Sequence, residues 1–427
     1  MRITIPDLSL VLLIGPAGSG KTTFARTHFK PTEVLSIEQA RQLVADDALD
    51  SGATEDAFAA LSYLAMRRLA AGRLTVIDDR HLNPHTRRML LGLAQEQHVI
   101  PVAIAFNLPE PLLHQRNQSR GGDMLPAETI SQQHAAMRHL LATMPQEGFR
   151  HIYEFLSEEE SSTVEVVRQA LWNRRPGDHG PFDIVGDIHG CYDELRALLG
   201  KLGYLVFRDG DSPLARHQIE HPLGRRLIFL GDLAGFGPKI PDALRLVMDA
   251  VDTGVALTVP GDHDMHLVNW LEGRESRLRP GLEASTRQLG GLPEEFTQEV
   301  RGFLSSTVSH YQLAGGDLVV AHAGLPEALQ GRGSMQVRQF AVFGESPESE
   351  IPVAPEWPSN YMGPATVVYG HAPVERPEWR NRTIDIDTGC VFGGKLTALR
   401  YPERELVSVD AGRAYAESPA EVSKSLS

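Results

Sequence analysis

Along the chain, short unbroken apolar runs alternate with segments whose apolar residues recur at helical spacing. Leu8–Ile14 is the first run, followed by a glycine-rich loop and a helical segment, Lys21–Phe29. Leu74–Ile77 and Val99–Phe106 are further runs with helical patterns between them, and Ile130–Met144 reads as a part-polar helix. Strand runs alternating with helices predict βαβ units and a parallel sheet. Leu171–Pro181 is rich in proline, glycine and charge, which marks a boundary. A second series of short strands follows: Phe182–Val185, Arg226–Leu230, Val255–Val259, Leu318–Ala321 and Thr366–Tyr369, each ending in polar residues. Leu271–Phe303 reads as a charged helical insertion. Past Gly412 the residues become small and polar, the pattern of a disordered tail.

Composition narrows the class. At 427 residues two or three domains are expected, and 42% hydrophobic with 22% charged residues suits a water-soluble globular chain. No apolar run nears the ~20 residues of a membrane span, so no membrane partner is expected. The two cysteines, Cys191 and Cys390, form no CxxC pair and no disulfide framework. A reducing cytoplasm is the expected location. The net charge of −14 argues against a broad surface for long duplex nucleic acid, but leaves room for a small basic pocket that holds one strand end.

Gly15-Pro16-Ala17-Gly18-Ser19-Gly20-Lys21-Thr22 is a complete G-x-x-x-x-G-K-T loop between an apolar strand and a helix. Its glycines let backbone N–H groups face phosphate oxygens, Lys21 reaches the β/γ-phosphates, and Thr22 ligates Mg²⁺. Gly15, Gly18, Ser19, Gly20, Lys21, Thr22 and Thr23 are the expected ATP (or other NTP) contacts. Phosphoryl transfer also needs a base and cations. Glu38 follows the second short strand, where it either faces an acceptor hydroxyl or starts a helix in solvent. Arg41 lies one turn on, placed to hold an acceptor phosphate. Asp78 and Asp79 end a strand at the usual place of a Mg²⁺-associated carboxylate. Arg116 and Arg120, four residues apart, suit a lid over the triphosphate or an ordinary solvated face.

Gly186-Asp187-Ile188-His189-Gly190, Gly231-Asp232, Gly261-Asp262-His263-Asp264, His322 and Gly370-His371 each follow an apolar β-run. That order collects carboxylates and imidazoles at the carboxyl ends of strands, in one cleft. Oxygen and imidazole donors without thiolates suit Mn²⁺, Fe or Ni. Two ions about 4 Å apart would prepare water for in-line attack on phosphorus. Asp187, His189 and Asp232 are assigned to one ion, and Asp232, Asp262, His322 and His371 to the other.

Asp385-Ile386-Asp387-Thr388-Gly389-Cys390-Val391-Phe392-Gly393-Gly394-Lys395-Leu396, with Thr397–Glu403 after it, resembles the end of the phosphatase module of bacterial polynucleotide kinase-phosphatases. Phe29–Val34, Leu171-Trp172-Asn173, Gly180–Asp183 and Val337-Arg338 are similar to that family too, over residues of about 2 to 410. The resemblance implies a two-domain α/β protein: an N-terminal P-loop kinase domain on a parallel sheet (1–172), a linker (173–181), a C-terminal α/β calcineurin-like metallophosphoesterase domain (182–412) and a tail (413–427). It implies 5′-OH phosphorylation by NTP and removal of 2′-, 3′- or cyclic phosphates with Mn²⁺ or Ni²⁺. Its partners would be polynucleotide ends, RNA ahead of DNA, and a separate ligase protein, since the ligase-like module is not in this chain. Lys21, Thr22, Arg41, Arg116, Asp187, His189, Asp232, His263 (as general acid), His322, His371 and Asp387 match positions that the family uses. The departures lie in the sites. Glu38 replaces an Asp. Gly235 and Phe236 stand where the family has an Asp that orients His263 and an Arg that clamps phosphate. Asp262 replaces an Asn. These departures keep two alternatives open: a small-nucleotide (diadenosine-polyphosphate-like) hydrolase, and a nucleotide-binding pseudoenzyme regulating a partner.

Overall fold

A computed structural model describes residues 1–48, 50, 52–119, 124–275, 277–344 and 357–417. The chain divides into two compact units, Met1–Leu171 with Arg332–Ser334, and Trp172–Gly331 with Met335–Ser427. No helix among the described residues is long and apolar enough to cross a membrane. The last part of the expected tail, 418–427, lies outside the described residues.

The first unit is built on a five-stranded sheet in the order Val34–Ser36, Thr75–Asp78, Ser9–Ile14, Ile100–Phe106, His151–Phe155. All neighbours are parallel. Every residue of Ser9–Ile14 is buried, as a central strand covered by helices on both faces requires. Leu10, Leu12 and Ile14 join Leu61, Ala65 and Leu69 of the helix Thr54–Ala70 on one face, and Val11 and Leu13 join Phe24 and Phe106 on the other. The register pairs Leu13 with Asp78 and Ser36 with Asp78, so the carboxyl ends of three strands meet beside the glycine loop.

The second unit stacks two sheets between helices. One runs Ala256–Thr258, Arg226–Phe229, Phe182–Val185, Lys395–Tyr401, Glu405–Asp410; the other runs Trp379–Arg380, Thr383–Asp385, Thr366–Tyr369, Leu318–Ala321, His310–Leu313, Arg174–Arg175. The period of two along each strand decides the layers. Phe182, Ile184 and Ile228 face Leu318, Val320 and Val368 between the sheets. Val185, Leu227 and Phe229 instead face the helices Tyr192–Leu202 and Ile240–Asp252. Two expectations change. Within 173–181, read as linker, Arg174–Arg175 is an edge strand paired with Gln312–Leu313. Proline and glycine punctuate an edge strand as readily as a linker, because an edge leaves half its backbone groups unpaired anyway. The stretch 271–303 holds two helices, Pro280–Leu289 and Glu294–Ser306, whose Leu282, Leu289, Phe296, Val300 and Leu304 enter the main core.

One polar knot ties the first sheet's end to its hairpin. Asp183, fully buried, accepts from Arg225 Nε (3.0 Å) and Tyr204 Oη (3.0 Å), while Arg225 also donates to Glu403 (2.7 Å) and the Phe182 carbonyl (2.9 Å). Removing Arg225 leaves the buried carboxylate only Tyr204 and the longer pair with Arg400 (3.5 Å), where loss of one partner of a buried pair costs about 3–5 kcal/mol. Arg225→Ala is therefore expected to lower the second unit's stability by about that much in urea unfolding. A change below ~1 kcal/mol would show the knot to be solvent-screened.

Candidate functional site

Two sites form, one in each unit, and both lie at carboxyl ends of parallel strands. In the first, Gly18 (φ +79°) and Gly20 (φ +93°) take the left-handed conformations that turn the loop into the helix Lys21–His28. Lys21 folds back on the loop: its Nζ donates to the carbonyls of Gly15 and Pro16, both at 2.9 Å, and to Ser19 Oγ at 3.3 Å. Burial pushes its pKa down to about 8 against the attraction of Asp78 and Asp79. Burial also pushes the Asp78 carboxyl up, opposed by a hydrogen bond from Thr22 and by Lys21. Gln133 Oε1 accepts the Ala17 N–H (2.9 Å), a brace that the sequence did not disclose.

A cavity of about 1350 Å³ opens here, and Lys21, Thr22, Thr23, Glu38, Arg41, Asp78, Asp79 and Arg116 all line it. Glu38 is the second residue of the helix Ile37–Ala45, and Arg41, one turn on, donates to the Ala48 carbonyl (3.0 Å). Arg116 donates to the Gly18 carbonyl (3.1 Å) and pairs with Glu158 (2.6 Å). Its helix is Glu110–Gln118, and Arg120, expected on the same helical face, lies outside the described residues. The donors and carboxylates present fit a nucleotide with Mg²⁺, held by Lys21 and Thr22 and flanked by Asp78.

The second site is a ring of carboxylates and imidazoles. Asp187 groups with Asp232 and His322; His189 with Asp232 and His263; Asp262 with His322 and His371. Within each group the donor atoms lie within 4.8 Å of one another. Asp232 is common to the groups that contain Asp187 and His189, the residues expected to share an ion with it, and Asp187 also accepts the His371 backbone N–H at 3.0 Å. His263 joins the donors. Strand order places these residues in one cleft, but side-chain directions decide which donors converge.

The cluster fits divalent cations. His322 Nδ1 lies 3.0 Å from the Leu230 carbonyl, which only accepts, so Nδ1 carries the hydrogen and the Nε2 lone pair faces Asp262 Oδ1 (3.3 Å) and His371 Nδ1 (3.2 Å). Asp187 Oδ1 is buried without a hydrogen-bond donor. Burial pushes Asp187 and Asp232 well above the usual carboxylate range, and neighbouring carboxylates add to it. Burial also raises Asp262, but the imidazoles of His322 and His371 beside it outweigh this and hold that group low. His189 is pushed well down by burial and His263 to about 4, so both rings are neutral at pH 7. Neutral imidazoles and desolvated carboxylates of this kind are metal donors. Bound ions would supply Lewis acidity and a lowered water pKa.

Residues outside the motifs hold this ring in place. Asp264, raised to about 6 by burial, accepts the N–H groups of Ala234 (3.0 Å), Gly261 (3.0 Å) and Leu233 (3.3 Å), fixing both loops to each other. Ser285 Oγ accepts the Gly235 N–H (3.1 Å). Asp387, pushed to about 6 by burial, accepts the Gly389 N–H (2.9 Å), and its charge raises Asp187. Gly235 is tightly enclosed. A Cβ there would lie 2.2 Å from His189 Nδ1, with φ at +149°, so this backbone has no room for the family's Asp.

Two outcomes follow from the geometry. Lys21→Ala is expected to weaken Mg-ATP binding about 10- to 100-fold in calorimetry, through loss of a charged hydrogen-bond donor; unchanged affinity would place the nucleotide elsewhere. Gly235→Asp is expected to lower bound Mn²⁺ in elemental analysis by displacing His189. Unchanged or higher occupancy would show that the loop yields.

Residues 10–141 match the model of an AAA domain, and residues 180–406 that of a calcineurin-like phosphoesterase. Over 242 residues, 55% of this chain and 94% of the relative, the chain is 43% identical to the bis(5′-nucleosyl)-tetraphosphatase PrpE [asymmetrical] of Bacillus velezensis. The Bacillus subtilis protein of the same name is 41% identical over 245 residues, 56% of this chain and 97% of its own. The solved structure of the Pnkp1/Rnl/Hen1 RNA repair complex is similar at 16% identity and a TM-score of 0.30, over 68% of this chain and 95% of that one. An N-terminal P-loop kinase-like domain on a parallel sheet thus precedes a C-terminal metallophosphoesterase domain, and the chain belongs to the calcineurin-like phosphoesterase family.

Proposed function

We propose that the C-terminal domain hydrolyses phosphoanhydride or phosphoester bonds of nucleotides with divalent metal, dinucleoside polyphosphates being the leading substrate class. The N-terminal domain, on this reading, binds NTP and Mg²⁺ and transfers a phosphoryl group. The observation that carries the hydrolytic reading is the convergence of Asp187, Asp232, Asp262, His189, His322 and His371, with buried carboxylates that lack counter-cations. Asp187, His189 and Asp232 would hold one ion, and Asp262, His322 and His371 would hold a second. The ions would activate water, and His263, grouped with His189 and Asp232, would face the leaving oxygen. The substrate class is drawn from the relatives at 43% and 41% identity, whose names specify a bis(5′-nucleosyl)-tetraphosphate.

A second reading is end healing of polynucleotides, RNA ahead of DNA. The phosphoesterase domain would remove a 2′-, 3′- or cyclic phosphate and the P-loop domain would phosphorylate a 5′-OH, with a separate ligase joining the ends. Favouring it, Glu38 and Arg41 line the same cavity as Lys21 and Thr22, where an acceptor hydroxyl and its flanking phosphate would sit. On that reading Glu38 is the base, Arg41 and Arg116 hold phosphate, and Mn²⁺ or Ni²⁺ serves the hydrolytic site.

The deciding experiment presents the purified chain with Mn²⁺ and either diadenosine tetraphosphate or 3′-phosphate oligonucleotides, and with Mg-ATP and 5′-OH oligonucleotides. Hydrolysis of the dinucleotide to unequal nucleotides, abolished by EDTA and reduced at least about 100-fold by Asp232→Ala, is the expected result. Faster turnover of the oligonucleotides would move end healing ahead. Activity that survives EDTA would remove the metal reading.

A further inference from the structure

The loop after Asp232 carries one aromatic side chain, Phe236, and it packs on the imidazoles of the hydrolytic site. Its ring centroid lies 4.9 Å from that of His263, 5.5 Å from His189 and 5.7 Å from Phe392. Phe392, from the loop between Asp387 and Lys395, lies 6.4 Å from His189. Both phenylalanines are half-buried, so the pair borders the donors without being sealed into the core. The far side is closed. A Cβ on Gly281, in the helix Pro280–Leu289, would come within 3.2 Å of Phe236 and 2.5 Å of the His263 ring.

Charge at the site points the same way. Among the described residues, no lysine or arginine hydrogen-bonds or pairs with Asp187, His189, Asp232, Asp262, His263 or His322. A terminal phosphomonoester brings about two negative charges at pH 7, because its second pKa is about 6. It is ordinarily met by a guanidinium fork. A phosphorus with two substituents brings one charge and fewer open oxygens. A phenyl ring offers that substrate an apolar face on which a ribose or planar base can rest.

We propose that Phe236 and Phe392 form a specificity wall, and that this site takes phosphorus bearing two substituents, as in a phosphodiester or an internal unit of a nucleotide polyphosphate, in preference to a terminal phosphomonoester. The proposal rests on the hydrolytic reading above. In the reaction, water adds to phosphorus, the P–O bond to the leaving group breaks, and a proton from the water ends on the departing oxygen. No other reactant is needed.

The test uses the full chain with Mn²⁺. Bis(p-nitrophenyl) phosphate and p-nitrophenyl phosphate give kcat/KM for a diester and a monoester. Calorimetry with AMP and with its methyl ester gives binding apart from turnover. The wild type is expected to favour the diester and to bind the methyl ester at least as tightly as AMP. Phe236→Arg is expected to shift both ratios toward the monoester by about tenfold or more, the worth of a charged hydrogen bond. A wild type that favours the monoester, or a folded F236R with unchanged ratios, would overturn the wall. Should F236R fail to fold, the wild-type ratios and Phe392→Ala decide: Phe392→Ala is expected to weaken the AMP methyl ester by about threefold or more, and unchanged affinity overturns the proposal. Absence of hydrolysis of both aryl esters and of the dinucleotide would instead overturn the hydrolytic reading, while the calorimetric preference still judges the ring wall.

Discussion

Carboxylates held together out of water set the terms for the second domain. Asp187 and Asp232 are almost fully buried, each raised by that burial and by further acids nearby, and Asp187 keeps one oxygen without a donor. Such a cluster is costly unless cations or protons arrive. The fold tolerates it because the backbone around it is tightly fastened. Gly261, Gly235 and Gly370 allow approaches in which a Cβ would lie 2.0–2.3 Å from Asp232, His189 and Asp187. Asp264 then locks the loops at 233–234 and 261 together with three N–H bonds. The unfavourable electrostatics are thus concentrated where a divalent ion relieves them, and the surrounding layers of apolar residues supply the stability.

The first domain meets its anion differently. Its cation is already in place but is engaged by the loop itself, with Lys21 bonded to two carbonyls of its own loop and Arg116 to a third carbonyl and to Glu158. Incoming phosphates would exchange those acceptors for their own oxygens, an exchange between comparable hydrogen bonds. In both domains the chemistry sits at carboxyl ends of parallel strands, where loops converge and backbone groups point outward. One domain collects backbone N–H groups and a lysine for phosphate, and the other collects carboxylates and imidazoles for metal.

Polarity at the two sites differs in a way that bears on substrate. The P-loop cavity includes Lys21, Arg41, Arg80 and Arg116. Around the hydrolytic donors stand Phe236 and Phe392 instead. In a chain with net charge −14, basic side chains thus line the P-loop cavity while aromatic rings border the donors of the second site.

Much of this was legible in the sequence because it is encoded locally. A run such as Ser9–Ile14 followed by G-x-x-x-x-G-K-T can only be a buried strand, a phosphate loop and a helix, since the glycines, lysine and threonine act through neighbouring backbone. Motifs that close successive strands likewise had to meet once those strands paired in parallel, so the family and the cluster of Asp187, Asp232, Asp262, His322 and His371 could be read without coordinates. What depends on direction and distance could not. Which donors converge, the absence of room for a Cβ at Gly235, the brace from Ser285, and the ring of Phe236 against His263 all join residues 27 to 135 positions apart. Arg174–Arg175 became a strand only because Gln312–Leu313 lay beside it. Composition and period set which elements exist and which face each buries; side-chain direction within the folded cleft, a product of packing between distant segments, decides what the site can hold.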